Sequence, residues 1–199
     1  MNDFPRKQAI GGIVLAAGCS ARMGGTKQLL PYKGNPLLQH VLDLVRCINF
    51  SQRVLVLGHA ASEIRRRSRM DGFTIRYNPS YEQGQSTSVR SGIQALDPEI
   101  QGAIFFLGDQ PLVGQHTVRA LIQAYEQTQA PIVVPVYKTK RGNPVFFHRS
   151  LFAEILSVSG DTGPRALLAK YAHCLIRVEV EDPGVVQDVD TWEDYRRLP

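Results

Sequence analysis

The chain has 199 residues, 43% of them hydrophobic and 21% charged, and a formal net charge of +5. At this length folding buries roughly 70% of the surface of the unfolded chain, so an ordinary core suffices and a disordered, fibrous or disulfide-stapled chain is excluded. Cys19, Cys47 and Cys174 are widely spaced without a CxxC pair, which argues against a zinc module and for a reducing, cytoplasmic location.

Runs rich in Ile and Val at 12–17, 53–57, 103–107, 131–136 and 175–180 predict strands buried on both faces. Leu37, Leu38, Val41, Leu42 and Val45, and again Val118, Leu121, Ile122 and Tyr125, recur at helical spacing between them. Strands alternating with helices predict one α/β domain over the whole chain, with a mostly parallel sheet covered on both faces. Ligands of such sheets bind beyond the carboxyl ends of the strands, which directs attention to the turns at 18–25, 58–62, 78–84 and 108–112.

The first of these, LAAGCSARMGGTK, follows the first strand with small residues, a hydroxyl, Arg22 and Lys27. Glycines let backbone N–H groups close on an anion, and the two cations would neutralise outer phosphates. Gly18, Gly24 and Gly25 fit neither GxxxxGK[ST] nor GxGxxG. A Gly-rich turn carrying two solvated cations is the plainer alternative.

LAAGCSARMGGTKQLLPYKGNPLLQH is similar to the signature LAAGxSxRMGxxKxLLPxxGxPLL of the molybdenum-cofactor nucleotidyltransferases. NPSYEQGQSTSVRSG, FFLGDQPLV, RGNPVFF, SGDTGPRALL and DVDTWEDY follow in the order of the cytidylyltransferases of that family, so the resemblance spans most of the chain. It implies a Rossmann-like three-layer sandwich of the nucleotide-diphospho-sugar transferase type and transfer of CMP from CTP to molybdopterin or molybdenum cofactor, with release of pyrophosphate. Carried over to this sequence, the backbone near Leu15, Ala16, Ala17 and Gly18 meets the base, and Arg22 and Lys27 meet the triphosphate.

Asp109, in LGDQP after a strongly apolar run, should emerge at the carboxyl edge of the sheet. Mg²⁺ is commonly held by one or two carboxylates plus substrate phosphates, which makes this a metal-ligand position; the alternative is a cap for the helix expected near Gly114. A second carboxylate is available from DVD, where alternation turns Asp188 and Asp190 to the side opposite Val189. Asp188 is the favoured ligand and Asp190 the other choice, while Asp190 or Thr191 also suits the cap of the last helix, with Glu193 or Asp194 in its first turn.

Gly84, Ser86 and Ser88 precede a helix expected over 89–96, whose start offers N–H groups and hydroxyls to a ligand; the resemblance implies that they contact base or ribose, and the alternative is that the serines simply cap that helix. Arg141 and Asn143, ahead of an apolar strand, suit an anionic, hydrogen-bonding pterin. Asp161 and Arg165 would hold the same second substrate, or belong to a plain loop and cap.

In-line attack by the terminal phosphate of molybdopterin on the α-phosphorus needs positioning and cations, with Mg²⁺ on Asp109, and no general base, because a phosphate is already ionised near neutral pH. A labile product would gain from handover to a molybdenum-dependent oxidoreductase. The rival within the family is a guanylyltransferase using GTP, against which stands LAAG in place of LAGG, with the Ala17 methyl narrowing the space beside the base. Rivals of other classes are a noncatalytic cofactor chaperone and an RNA-binding domain. RRRSR at 65–69 lacks the interleaved aromatics that RNA binding favours and predicts a solvated helix face. Neither a nucleic acid nor a membrane is expected as partner: no apolar run reaches the roughly 18–20 residues of a spanning helix, and MNDFPRKQAIGG does not read as a signal peptide.

Overall fold

The computed structural model describes residues 9–20, 23–157 and 165–199. The five expected strands form as β1 (Ile10–Ala16), β4 (Gln52–Leu57), β6 (Gly102–Leu107), β7 (Ile132–Tyr137) and β10 (Ile176–Glu179). Three more complete the main sheet, β5 (Thr74–Tyr77), β8 (Lys140–Arg141) and β9 (Val145–His148), while β2 (Pro31–Tyr32) and β3 (Asn35–Pro36) form a separate small hairpin. The order is β10-β7-β9-β6-β1-β4-β5, with β8 paired to β7.

β1 is parallel to β4 and β6, β4 to β5, and β10 to β7. β9 runs antiparallel between β6 and β7. Its reversal matters for the site. Val145 at the start of β9 pairs with Phe105 near the end of β6, so the loop leading into β9 enters at the carboxyl edge, beside the turns that follow β1 and β6.

Alternation along the strands divides the core into two layers. Val14, Leu55, Phe106 and Val133 pack on one face with Leu38, Val41, Val118 and Leu121, contributed by α1 (Leu37–Cys47) and α4 (Gln115–Thr128); α2 (Ala61–Arg67) adds Ile64. Ile13, Val56, Phe105 and Val134 pack on the other with Val89, Ile93, Phe152 and Leu168, from α3 (Gln85–Gln94), α5 (Phe152–Ser157) and α6 (Arg165–Lys170). The last helix, α7 (Trp192–Arg196), follows the DVD segment. Arg65, Arg66 and Arg67 lie on the exposed face of α2. Among the described residues no helix is long and apolar enough to cross a membrane.

Two expectations about caps change. α3 starts at Gln85 rather than Val89, with Gly84 (φ +101°) as its N-cap, so Ser86 and Ser88 lie inside the helix and neither caps it. The polar run QSTS hides this first turn because Ser and Thr are poor helix formers by themselves. Here they are held by the buried Asn78, whose Nδ2 donates to Thr87 Oγ1 (2.8 Å) and Ser88 Oγ (3.0 Å). Nor does Asp109 cap α4. Asp182, 5% exposed, does so from far along the chain, its Oδ2 accepting from the Gly114 N–H (2.8 Å) and the Thr117 hydroxyl (2.6 Å).

Candidate active site

The carboxyl edge of the sheet holds two adjoining cavities. The first, of about 580 Å³, is bordered by Gly18 and Ser20 after β1, by Lys27, by Gly84 and Ser88 at the start of α3, and by Asp109 after β6. The second, of about 510 Å³, is walled by Phe105, Phe147 and Val89 with Lys140, Arg141 and Asn143 at its polar side. Leu15, Gln85, Leu107 and Asp188 border both.

Local sequence accounts for the first wall. The backbone turns away from β1 through Ser20 at φ +52°, and a buried Gln28 closes the loop: its Nε2 donates to the Gly18 carbonyl (3.3 Å) and its Oε1 accepts from the Ser20 hydroxyl (3.2 Å). The 3-10 turn Lys27–Leu29 then aims Lys27 back across the cavity. Gly108 brings the end of β6 close to β1, since a Cβ there would lie 3.0 Å from the Leu15 carbonyl oxygen. Asp109 follows immediately and faces Lys27.

The Lys27 ammonium donates to Asp109 Oδ2 (2.5 Å) and Asp190 Oδ1 (2.6 Å). Its side chain is only 11% exposed. Burial alone would lower its pKa, but the charges and hydrogen bonds of Asp109 and Asp190 outweigh that and hold it above the ordinary lysine value. Asp109 Oδ1 is buried without a hydrogen-bond partner. Asp188 accepts a short hydrogen bond from Gln110 Nε2. Burial, then the charge of Asp109, push the Asp188 carboxyl above the usual aspartate range, with the Gln110 bond pulling the other way.

Val189 explains why the two aspartates of DVD arrive together. It is 1% exposed, packs with Tyr32 and Leu37, and its N–H donates to the Asp109 carbonyl (3.0 Å). The chain is then fixed by a capping box. The Asp194 N–H donates to Thr191 Oγ1 (3.2 Å), and Asp194 Oδ2 accepts from the N–H groups of Thr191 (2.8 Å) and Asp190 (3.2 Å). The Thr191 hydroxyl bond, followed by those amides and against some burial, holds the Asp194 carboxyl below the usual aspartate range. A depressed carboxylate contributes stability that is full above the ordinary value of about 3.9 and is lost as pH falls through the lower folded value. Thr191→Ala is therefore expected to cost about 1 kcal/mol at neutral pH, with the gap to the parent protein closing in acid; denaturant melts across pH check both.

Asp109, Asp188, Asp190 and Lys27 thus converge, as do Leu15, Ala17, Gly18, Gly84 and Ser88 along the first cavity and Arg141 and Asn143 along the second. Ala16 is buried among core residues, and Ser86 is buried with its hydroxyl unpartnered; neither borders a cavity. Ala17 borders the first cavity, yet its methyl lies in the core cluster with Val54 and Val56, which weakens the idea that it narrows the space for the base. Arg22 and Asp161 lie outside the described residues, as does the side chain of Arg165, whose backbone opens α6. Gln28 and Gln110 escaped the sequence reading. Both are polar residues adjoining an assigned one, Lys27 or Asp109, and that adjacency was their one local signal.

Among the described residues three carboxylates gather around the Lys27 ammonium, and the second oxygen of Asp109 is buried without a partner. Oxygen donors of this kind suit a hard divalent cation. Among the described residues no three His, Cys, Asp or Glu side chains are grouped so as to hold an ion by themselves; the Lys27 ammonium stands where Asp109 and Asp190 converge.

Comparison with known proteins shows the family. The family model of the MobA-like NTP transferase domain matches residues 12–174. The chain is 29% identical to the nicotine blue oxidoreductase of Paenarthrobacter nicotinovorans, covering 98% of each chain, and 28% identical to the molybdenum cofactor cytidylyltransferase of Escherichia coli K12, covering 94% of each. The crystal structure of Rv0371c from Mycobacterium tuberculosis H37Rv in complex with manganese superposes with a TM-score of 0.82 at 35% identity, covering 96% of this chain and 97% of that one. A match over residues 12–174 takes in the first loop, the Asp109 turn and the strands that carry them, so the chain belongs to the MobA-like NTP transferase family and is a nucleotidyltransferase.

Proposed function

We propose that this enzyme transfers CMP from CTP to molybdopterin or molybdenum cofactor, releasing pyrophosphate, with Mg²⁺ as its divalent ion. The observation that carries the reading is the pair of cavities meeting at Asp188, one bordered by the Gly18 loop and Lys27, the other aromatic with Arg141 and Asn143 at its polar side. The first suits a nucleotide and the second a flat heterocycle with an anionic tail. The similarity to the E. coli cytidylyltransferase supports the same donor and acceptor.

The chemistry follows from the charges. The acceptor phosphate attacks the α-phosphorus in line, a new P–O bond forms, and the bond to the β-phosphate breaks. Charge builds on the departing pyrophosphate, where Lys27, joined by Arg22, stabilises it. An incoming phosphate competes with Asp109 and Asp190 for the Lys27 ammonium. Asp109 and Asp190, relieved of that ammonium, would with Asp188 be the oxygen donors that hold the ion. Bound there, Mg²⁺ supplies charge neutralisation at the phosphates. Gly84 and Ser88 at the α3 entry face base or ribose, while Asp161 and Arg165 are assigned to the acceptor. The product passes to a molybdenum-dependent oxidoreductase in the cytoplasm.

Incubating purified molybdopterin with CTP, GTP and ATP, and reading pyrophosphate release and product mass, tests the assignment. CTP is expected to be preferred and to yield the cytosine dinucleotide. A preference for GTP would move the enzyme to the guanylyl branch, and no transfer from any nucleotide would leave the noncatalytic carrier.

A further inference from the structure

We infer that Gln110 is a positioning residue for nucleotidyl transfer, its buried amide fixing the Asp188 carboxylate at the junction of the two cavities. The inference rests on the reading of the site as a metal-dependent nucleotidyltransferase centre and goes beyond it by assigning a role to Gln110, which lines the second cavity and bonds Asp188.

Gln110 is 3% exposed. A glutamine amide taken out of water at that depth is costly unless its hydrogen bonds are made inside the protein. Nε2 makes two: the short one to Asp188 Oδ1 and a longer one to the Val185 carbonyl (3.4 Å). The same carbonyl accepts from the Asn143 N–H (2.8 Å). Gly142 permits this approach, because a Cβ there would lie 2.4 Å from the Val185 oxygen. The Gln110 amide, the loop that enters β9 and the segment carrying Asp188 are therefore one hydrogen-bonded unit.

The backbone bond from Val189 to Asp109 sets where the Asp188 main chain runs, but not where its carboxylate turns. Asp109 and Asp190 both repel that carboxylate. Among the described residues the Gln110 amide is the one side chain that donates to it. An amide suits the task because it is neutral. It engages one carboxylate oxygen and leaves the charge and the second oxygen for an ion, whereas a Lys or Arg at 110 would cancel the charge. Groups that orient a metal ligand from behind in this way typically change metal affinity about 10–100-fold when removed.

The experiment is a Mn²⁺ titration of the full-length chain, with free ion read by electron paramagnetic resonance, on the parent protein, Gln110→Met, Asp188→Asn and the double variant. Gln110→Met is expected to weaken Mn²⁺ binding by about 10–100-fold, and to lower kcat with CTP while the KM for CTP moves less than about twofold. In the Asp188→Asn background the same change should cost almost nothing, because residues that act through one another are not additive. If thermal melts show Gln110→Met unfolded, Gln110→Asn takes its place: it keeps an amide one methylene short of Asp188, and the same loss is expected. Unchanged Mn²⁺ affinity in the single variant, or an equal loss with and without Asp188, overturns the inference alone. A parent protein that binds no Mn²⁺ overturns the metal reading beneath it as well.

Discussion

Lys27→Met is expected to lower kcat/KM by about 10²–10³-fold, the usual consequence of removing a preorganised stabiliser of developing phosphate charge. It should also lower the thermal midpoint. Lys27 is 11% exposed and pairs with Asp109 and Asp190, themselves 19% and 32% exposed. Breaking a fully buried pair costs about 3–5 kcal/mol, and exposed pairs are worth about 0–1; partial solvent screening here puts the expected loss at about 1–3 kcal/mol. The sign with pH follows from the raised lysine pKa. The stabilisation is complete below the ordinary lysine value and is lost as pH rises through the higher folded one, so the two proteins should differ at neutral pH and converge in strong alkali. Steady-state kinetics and melts at pH 7 and above pH about 11 check the two halves separately. Retained turnover would remove Lys27 from the chemistry even if the melt behaved as expected.

Asp109→Asn should produce the opposite pairing of effects, a loss of turnover of about 10³-fold or more with little change in stability. The loss follows from the proposed role of Asp109, a charged oxygen ligand for the ion beside Lys27. The fold is spared because Asp182 caps α4, so Asp109 holds no helix end. Lys27 keeps Asp190 as a partner, and Asp188 is relieved of the neighbouring charge that is second only to burial in raising its pKa. A melt within a few degrees of the parent, with activity gone, is the expected result. A variant that stays active rules out Asp109 as the anchor of the ion, and one that unfolds shows that its role is structural.

The two variants separate what the site does from what holds it together, and their logic depends on pairings of unequal legibility. The strands at β1, β4, β6, β7 and β10 were visible because residues buried on both faces leave continuous apolar runs, and their ends fell within two residues of expectation. β5 was missed: TIRY is a mostly exposed edge strand with no apolar run to mark it. The entry of α3 was missed because four polar residues in succession carry no helical period, and an asparagine seven residues upstream of the helix start supplies what their own propensity lacks.

Sequence by itself determined that loops at the carboxyl edge would carry glycine, lysine and aspartate, because strand–helix alternation fixes which end of the sheet the turns occupy. It also delivered Asp109 to that edge, one residue beyond a glycine. Tertiary structure decided who faces whom. Lys27 meets partners 82 and 163 residues away, Gln110 meets one 78 residues away, and Asp182 closes a helix 68 residues before it. The adjacency of β1 and β6 and the path of the chain after β10 create these pairings, and neither leaves a local trace: hydrophobic period records which face of an element is buried, not which distant segment lies beside its end.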